Sequence, residues 1–268
     1  MPNVVLTPAL RAEYKSLFDR CVIRPDKAVA VENLIDRLDS NRARYAAVGT
    51  ALGIPWAFIA ITHNMESTQN FNTHLHNGDP LTARTRQVPA GRPRTGSPPF
   101  TWEESAEDAL RLKGLGPATD WSLAGMLYRF EGFNGWGYRR FHPHVLSPYL
   151  WSFSNHYSQG KYVADGTWSE TAVSKQCGAA VLLRRMAERG LTDFADRPAP
   201  GAGAMPLVVS FRTSKSADPA EVQRAVDLQT WLNGHPGIFV KLDGVPGQRT
   251  SDAYRAVVGR NLPGDPRG

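Results

Sequence analysis

Apolar residues recur at helical spacing along most of this chain, and clear strand alternation is scarce, so a mainly α fold is expected. Residues 7–22 form one amphipathic helix. Thr7 is its cap, Pro8 its first residue, and Leu10, Tyr14, Leu17, Phe18 and Cys21 share a face. Residues 26–50 read as a second helix, capped by Asp26, with Val31, Leu34, Ile35, Leu38, Tyr45 and Val48 as its stripe and Gly53 as its stop. A third begins at Pro55 and runs through WAFIAITHNME, burying Ile54, Phe58, Ile61 and Met65. Further helices are expected at 102–113, 120–131 and 169–189, and a short strand at Leu207–Phe211.

Two stretches break this pattern. Residues 67–101 hold five prolines with Arg84, Arg86, Arg92 and Arg94 among them; so long a segment between helices reads as a binding loop, with room for a short hairpin. Residues 196–206, DRPAPGAGAMP, read as a linker. The expected organisation is a helical domain over 1–195, the linker at 196–206, and a small helical module over 207–268.

The 268 residues carry 31 Lys plus Arg against 25 Asp plus Glu, a net charge of +6 that suits a polyanionic partner such as nucleic acid or a bacterial wall, or equally serves solubility. Cys21 and Cys177 are the only cysteines and imply no disulfide framework. No window has the ~20 apolar residues of a membrane span. The N-terminus carries no basic region followed by an apolar one, so no Sec-type leader is expected. Gly-x-Ser-x-Gly, phosphate-loop and dinucleotide motifs are also missing, which argues against serine and nucleotide chemistry.

The third helix ends in His63-Asn64-Met65-Glu66-Ser67. A carboxyl at the end of an apolar helix is partly desolvated, and desolvation favours the protonated acid that glycoside cleavage needs. A surface glutamate on a last turn would look the same. The pair Glu66-Ser67 after an apolar helix resembles the Glu-Ser motif of goose-type lysozymes and lytic transglycosylases. Trp121–Tyr138 resembles the aromatic-Asn-Gly segment of that superfamily, with Asn134, Gly135 and Tyr138 at the matching positions, and SPYLWSFSNHYSQGKYVADG is similar to a cleft-closing segment of muramidase-like proteins. In the tail, Asp243-Gly244, Gly247 and Thr250, after VQRAVDLQTWLN, resemble the signature of a small peptidoglycan-binding module, with Thr250 as a helix cap.

The resemblance implies a lysozyme-like helical domain with a cleft, acting on bacterial peptidoglycan at the MurNAc–GlcNAc bond, with Glu66 as general acid. It implies no cofactor, no metal, no nucleic-acid partner and no membrane insertion. A monomer acting at the wall, delivered by a lysis system or another non-Sec route, is expected. Ser67, Asn134, Gly135, Trp136, Tyr138, Tyr149, Trp151, Asn155 and Tyr157 would line the sugar site, aromatic faces packing on sugar C–H faces. Asn64, Gln69, Asn70 and Asn72 are further candidates for acetamido groups.

The second carboxylate is open. An inverting enzyme holds it about 6.5–9.5 Å from the acid, a retaining one about 5–5.5 Å. Asp79 is the first candidate, with Asp165 and Glu131 behind it. If Glu66 works alone, lytic transglycosylation follows, in which the sugar's 6-hydroxyl attacks. Two readings of other classes also stand: a wall-binding or virion structural protein without activity, and a zinc peptidase built from His74-x-His76, His142-x-His144, His63 or His156. The second of these pairs is interrupted by Pro143.

Overall fold

The structure is a computed structural model and describes residues 4–192, 194, 205–235 and 238–268. It is mainly helical, as expected. The chain divides into two compact units, Met1–Met186 and Ala187–Gly268, so the division precedes the expected linker. Residues 195–204 of that linker region lie outside the described residues; Met205 and Pro206 have no regular structure.

The first unit begins with α1 (Pro8–Asp19), capped as expected by Thr7, whose Oγ1 accepts the Leu10 N–H at 3.2 Å. The expected second helix is divided. A 3-10 turn at Pro25–Lys27 leads into α2 (Ala28–Ser40), and α3 (Arg42–Leu52) follows. Asp26 caps nothing: its carboxylate accepts from the Arg24 guanidinium at 3.0 and 3.1 Å. Asn41 makes the break, because its side-chain amide donates to the Arg37 carbonyl at 2.9 Å and competes with the helical ladder. Gly53 ends α3 with φ +65°, the left-handed cap that glycine adopts without a Cβ penalty.

Helix α4 (Trp56–Ser67) is the centre of the core, with every residue from Ala57 to Met65 buried. A helix buried on all sides needs partners all round, and α3, α5 (Trp102–Leu112) and α6 (Leu123–Asn134) are the neighbouring helical elements of that core. Phe58 stacks on Phe130 at 4.5 Å and meets Trp121 edge-on at 4.9 Å. Each such ring, fully buried, contributes about 1.5–3 kcal/mol. Thr101 and Glu104 start α5 with a reciprocal capping box, and Ser122 caps α6.

Two short helices follow, α7 (Gly137–Phe141) and α8 (Pro148–Trp151), then the antiparallel hairpin β1 (Lys161–Ala164) and β2 (Thr167–Ser169). Its turn is Asp165-Gly166, with Gly166 at φ +69°. The helix expected over 169–189 forms only as α9 (Ala179–Glu188). Tertiary contacts hold the preceding residues out of it: Gly178 donates to Ser152 O at 3.0 Å, and a Cβ there would lie 2.2 Å from Leu150 O.

The second unit holds α10 (Pro219–Asn233) and α11 (Gln248–Val258) around Leu228, Leu232, Val240, Ala253, Tyr254 and Leu262. Leu207–Phe211 forms no strand; Phe211 N instead donates to Pro263 O at 2.8 Å, a single tie rather than a ladder.

No described helix is long and apolar enough to cross a membrane; α3 and α4 pass by composition only as a pair bent by 115°.

Candidate active site

Glu66 sits on the last turn of α4, where the helix leaves the core: Met65 is buried and Glu66 is exposed. The desolvation expected from the apolar helix therefore stops one residue short of it. What the sequence did not foretell is its partner. The Tyr149 hydroxyl donates to Glu66 Oε1 at 2.6 Å, across 83 residues of sequence. Burial, and then the neighbouring Glu66 carboxylate, push the Tyr149 phenol well above its ordinary pKa, so it stays a donor through the neutral range. The Ser147-Pro148 start of α8 brings Tyr149 there, and α8 packs on α6.

Two cavities flank this turn and share Gln176, whose side-chain amide donates to Met65 O at 2.8 Å. One, about 490 Å³, is lined by Asn134, Tyr138, Phe141, Tyr149, Tyr162, Asp165 and Gln176 among others. The other, about 680 Å³, is lined by Leu34, Arg37, Asn64, Thr68, Phe153, Lys175, Gln176 and Cys177 among others. Thr68 and Phe153 hold φ of +51° and +75°, in the left-handed region that costs a non-glycine residue about 1–3 kcal/mol and that collects at functional sites. Glu66 itself lines neither cavity; its partner Tyr149 borders the first, and Asn64 and Thr68, on either side of it in sequence, border the second.

Of the expected sugar-site residues, Asn134, Tyr138 and Tyr149 line the first cavity. The others serve the fold. Ser67 Oγ donates back to His63 O at 3.2 Å, and Gly135, with φ +80°, ends α6. Trp136 packs on Tyr128 at 4.9 Å. Trp151 is fully buried. Tyr157 is buried too, its hydroxyl donating to Gly160 O at 3.2 Å. Asn155 ties distant backbone together, accepting from Val22 N at 2.8 Å and donating to Arg20 O at 3.2 Å. Among the acetamido candidates Asn64 lines the second cavity. Gln69 donates to Asn64 Oδ1 at 2.8 Å, and Asn70 Oδ1 accepts from Asn72 N at 3.0 Å.

Asp79 organises its own loop. Oδ2 accepts from Arg86 N at 2.7 Å, Gln87 N at 3.0 Å and Asn77 Nδ2 at 3.1 Å. The Gln87 and Arg86 amides, in that order, hold its carboxyl below the usual carboxylate range. It lines neither cavity beside Glu66. Asp165, at the hairpin turn, does line the first. Glu131 is buried, bonded to the Tyr14 hydroxyl and, at 2.8 Å, to Arg139 Nε; burial raises its pKa despite Arg139.

Four of the six histidines weighed as zinc ligands are structural. His74 meets Ser105 Oγ and Ala83 O, each at 2.8 Å, and His76 pairs with Asp108 at 2.7 Å. His63 lies between the Tyr45 hydroxyl at 3.1 Å and Asn70 O at 3.2 Å, and His156 Nε2 meets Leu17 O at 2.7 Å.

In the second unit, the expected wall-binding residues converge on buried Gln229. Its amide donates to Asp243 Oδ1 at 3.0 Å, Val245 O at 3.1 Å and Thr250 Oγ1 at 3.3 Å, and its carbonyl accepts from Gly244 N at 3.0 Å. Thr250 is not a cap: α11 starts two residues earlier, at Gln248, with Gly247 in the cap position. Gly244, at φ +71°, is required because a Cβ would lie 2.7 Å from Val222 Cγ1. A smaller cavity of about 190 Å³ in this unit is bordered by Arg212, Ser216, Glu221 and Arg224.

The fold defines the class as a mainly helical protein, in which the Tyr149 hydroxyl holds the Glu66 carboxylate. Compared with family models, with curated proteins and with solved structures, the chain gives no significant match.

Proposed function

We propose that this protein cleaves the glycan strands of bacterial peptidoglycan, with Glu66 as the acid that protonates the oxygen between N-acetylmuramic acid and N-acetylglucosamine. The observation that carries the reading is the Tyr149 hydroxyl on Glu66 Oε1, at a turn flanked by two cavities. One carboxylate oxygen is held, and the other carries the proton to the leaving group. As the C1–O4 bond breaks, positive charge develops at C1, and the resulting carboxylate stabilises it.

In this reading Asp165 assists the attacking water, since it lines the cavity, whereas the Asp79 carboxylate is taken up by its loop. The same engagement of Asp79 favours a second reading, lytic transglycosylation, in which Glu66 acts as acid and then base and the sugar's own 6-hydroxyl attacks C1. The unit Ala187–Gly268 would hold the enzyme on the wall.

The test is Glu66→Gln on purified sacculi. Loss of about 100-fold or more in lysis is expected for a general acid, with wall binding retained. Mass spectrometry of the wild-type digest then separates the chemistries. Reducing-end muramic acid marks hydrolysis, 1,6-anhydro ends mark transglycosylation, and freed peptide amines would mark a peptidase. Undiminished lysis by the variant removes Glu66 from the mechanism. A wild-type protein that binds sacculi and releases nothing is a wall-binding protein without activity.

A further inference from the structure

Two histidines that take no part in the proposed glycan chemistry meet a glutamate beside the hairpin. His142 and His144 follow α7, and Glu170 follows β2. One donor atom from each side chain lies within 4.8 Å of the others. His144 Nε2 and Glu170 Oε2 are 3.6 Å apart, longer than a hydrogen bond. Two ligands each about 2.1 Å from one tetrahedral ion stand roughly 3.4 Å apart, which is close to this gap. Pro143, which argued against the pair as part of a strand, does not keep the two rings from converging.

The surroundings hold one ligand in place. The His142 ring stacks on Trp168 at 3.5 Å with an interplanar angle of 7°, and Tyr162 meets it edge-on at 5.3 Å. The cluster offers one carboxylate and two imidazoles. Calcium and magnesium favour all-oxygen sites, whereas two imidazoles with one carboxylate suit zinc and leave a fourth position for water. His144 and Glu170 are 60% and 65% exposed, which gives an ion its entry path.

We propose that His142, His144 and Glu170 bind one zinc-class divalent cation that clamps the connection after α7 to the β1–β2 hairpin. Helix α7, which leads directly into His142, and the hairpin both line the cavity of about 490 Å³, through Phe141 and Tyr162. The ion therefore fixes the width of that cavity, and the site stands whether or not Glu66 cleaves glycan.

The experiment is calorimetric titration of the metal-stripped full chain with zinc chloride, with hydrogen exchange followed over residues 161–169. One equivalent is expected to bind, and protection of the hairpin amides to rise. His144→Ala and Glu170→Gln, both at exposed positions, should melt with the stripped wild type yet bind zinc at least tenfold more weakly. Magnesium chloride should produce neither effect. Zinc binding of equal strength in wild type and both variants would place the ion elsewhere and overturn the site. Binding without added hairpin protection would overturn the clamp.

Discussion

Tyr149→Phe isolates the contact on which the functional reading rests. The substitution keeps the ring and removes one hydroxyl, whose bond to Glu66 Oε1 is 2.6 Å long, within the range of a charge-assisted O–H···O bond. Such bonds are worth about 1.5–3 kcal/mol. Glu66 is exposed, so water replaces part of the lost donor, and the lower end of that range applies. At about 1.4 kcal/mol per factor of ten, kcat/KM on purified sacculi should fall roughly 10- to 30-fold. The melting temperature should barely change. In a Glu66→Gln background the same substitution should have little further effect, because the two residues act as one unit. A Tyr149→Phe enzyme within twofold of wild type would refute the positioning role. So would a drop that repeats in full on top of Glu66→Gln.

Three further outcomes follow from the fold. Burial drives the His63 pKa down to about 4, against 6.5 when exposed, so the neutral ring belongs to the folded state. Stability is then fully present above pH 6.5 and is lost as pH falls toward 4, by at most about 3 kcal/mol at 1.36 kcal/mol per unit; thermal melts across that window should show a decline that His63→Phe flattens. Gly178→Ala should cost about 3 kcal/mol or more, since its Cβ would lie 2.2 Å from backbone Leu150 O, and calorimetry should show a melting point lower by roughly 6–12 °C. Gln229→Ala strips partners from Asp243, Gly244 and Thr250 at once, and hydrogen exchange should show α10 and α11 losing protection while α4 keeps it.

Much of the helical framework could be read locally. Thr7, Gly53 and the apolar run of α4 act within a turn or two of themselves, through a cap, a left-handed stop and a face without polar groups. The hairpin was also within reach, because Asp165-Gly166 between Tyr162 and Trp168 is a turn signal flanked by strand formers. The failures have a common cause. Asn41 divides one expected helix through a side-chain bond to Arg37, and Gly178 delays another because Leu150 occupies the space a helix would need. Both depend on what lies opposite in space.

The same division runs through the site. The sequence by itself determined that a carboxylate would end an apolar helix, because periodicity and composition suffice for that. It also marked Asp243, Gly244 and Thr250 as a set, though for a ligand rather than for Gln229. Only the tertiary structure decided that Tyr149 holds Glu66, that Asp79 is taken up by backbone amides, and that His142, His144 and Glu170 converge. A hydrogen bond across 83 residues leaves no local signature, since either residue alone is compatible with an idle surface position. Packing of α8 on α6 brings the two within 2.6 Å.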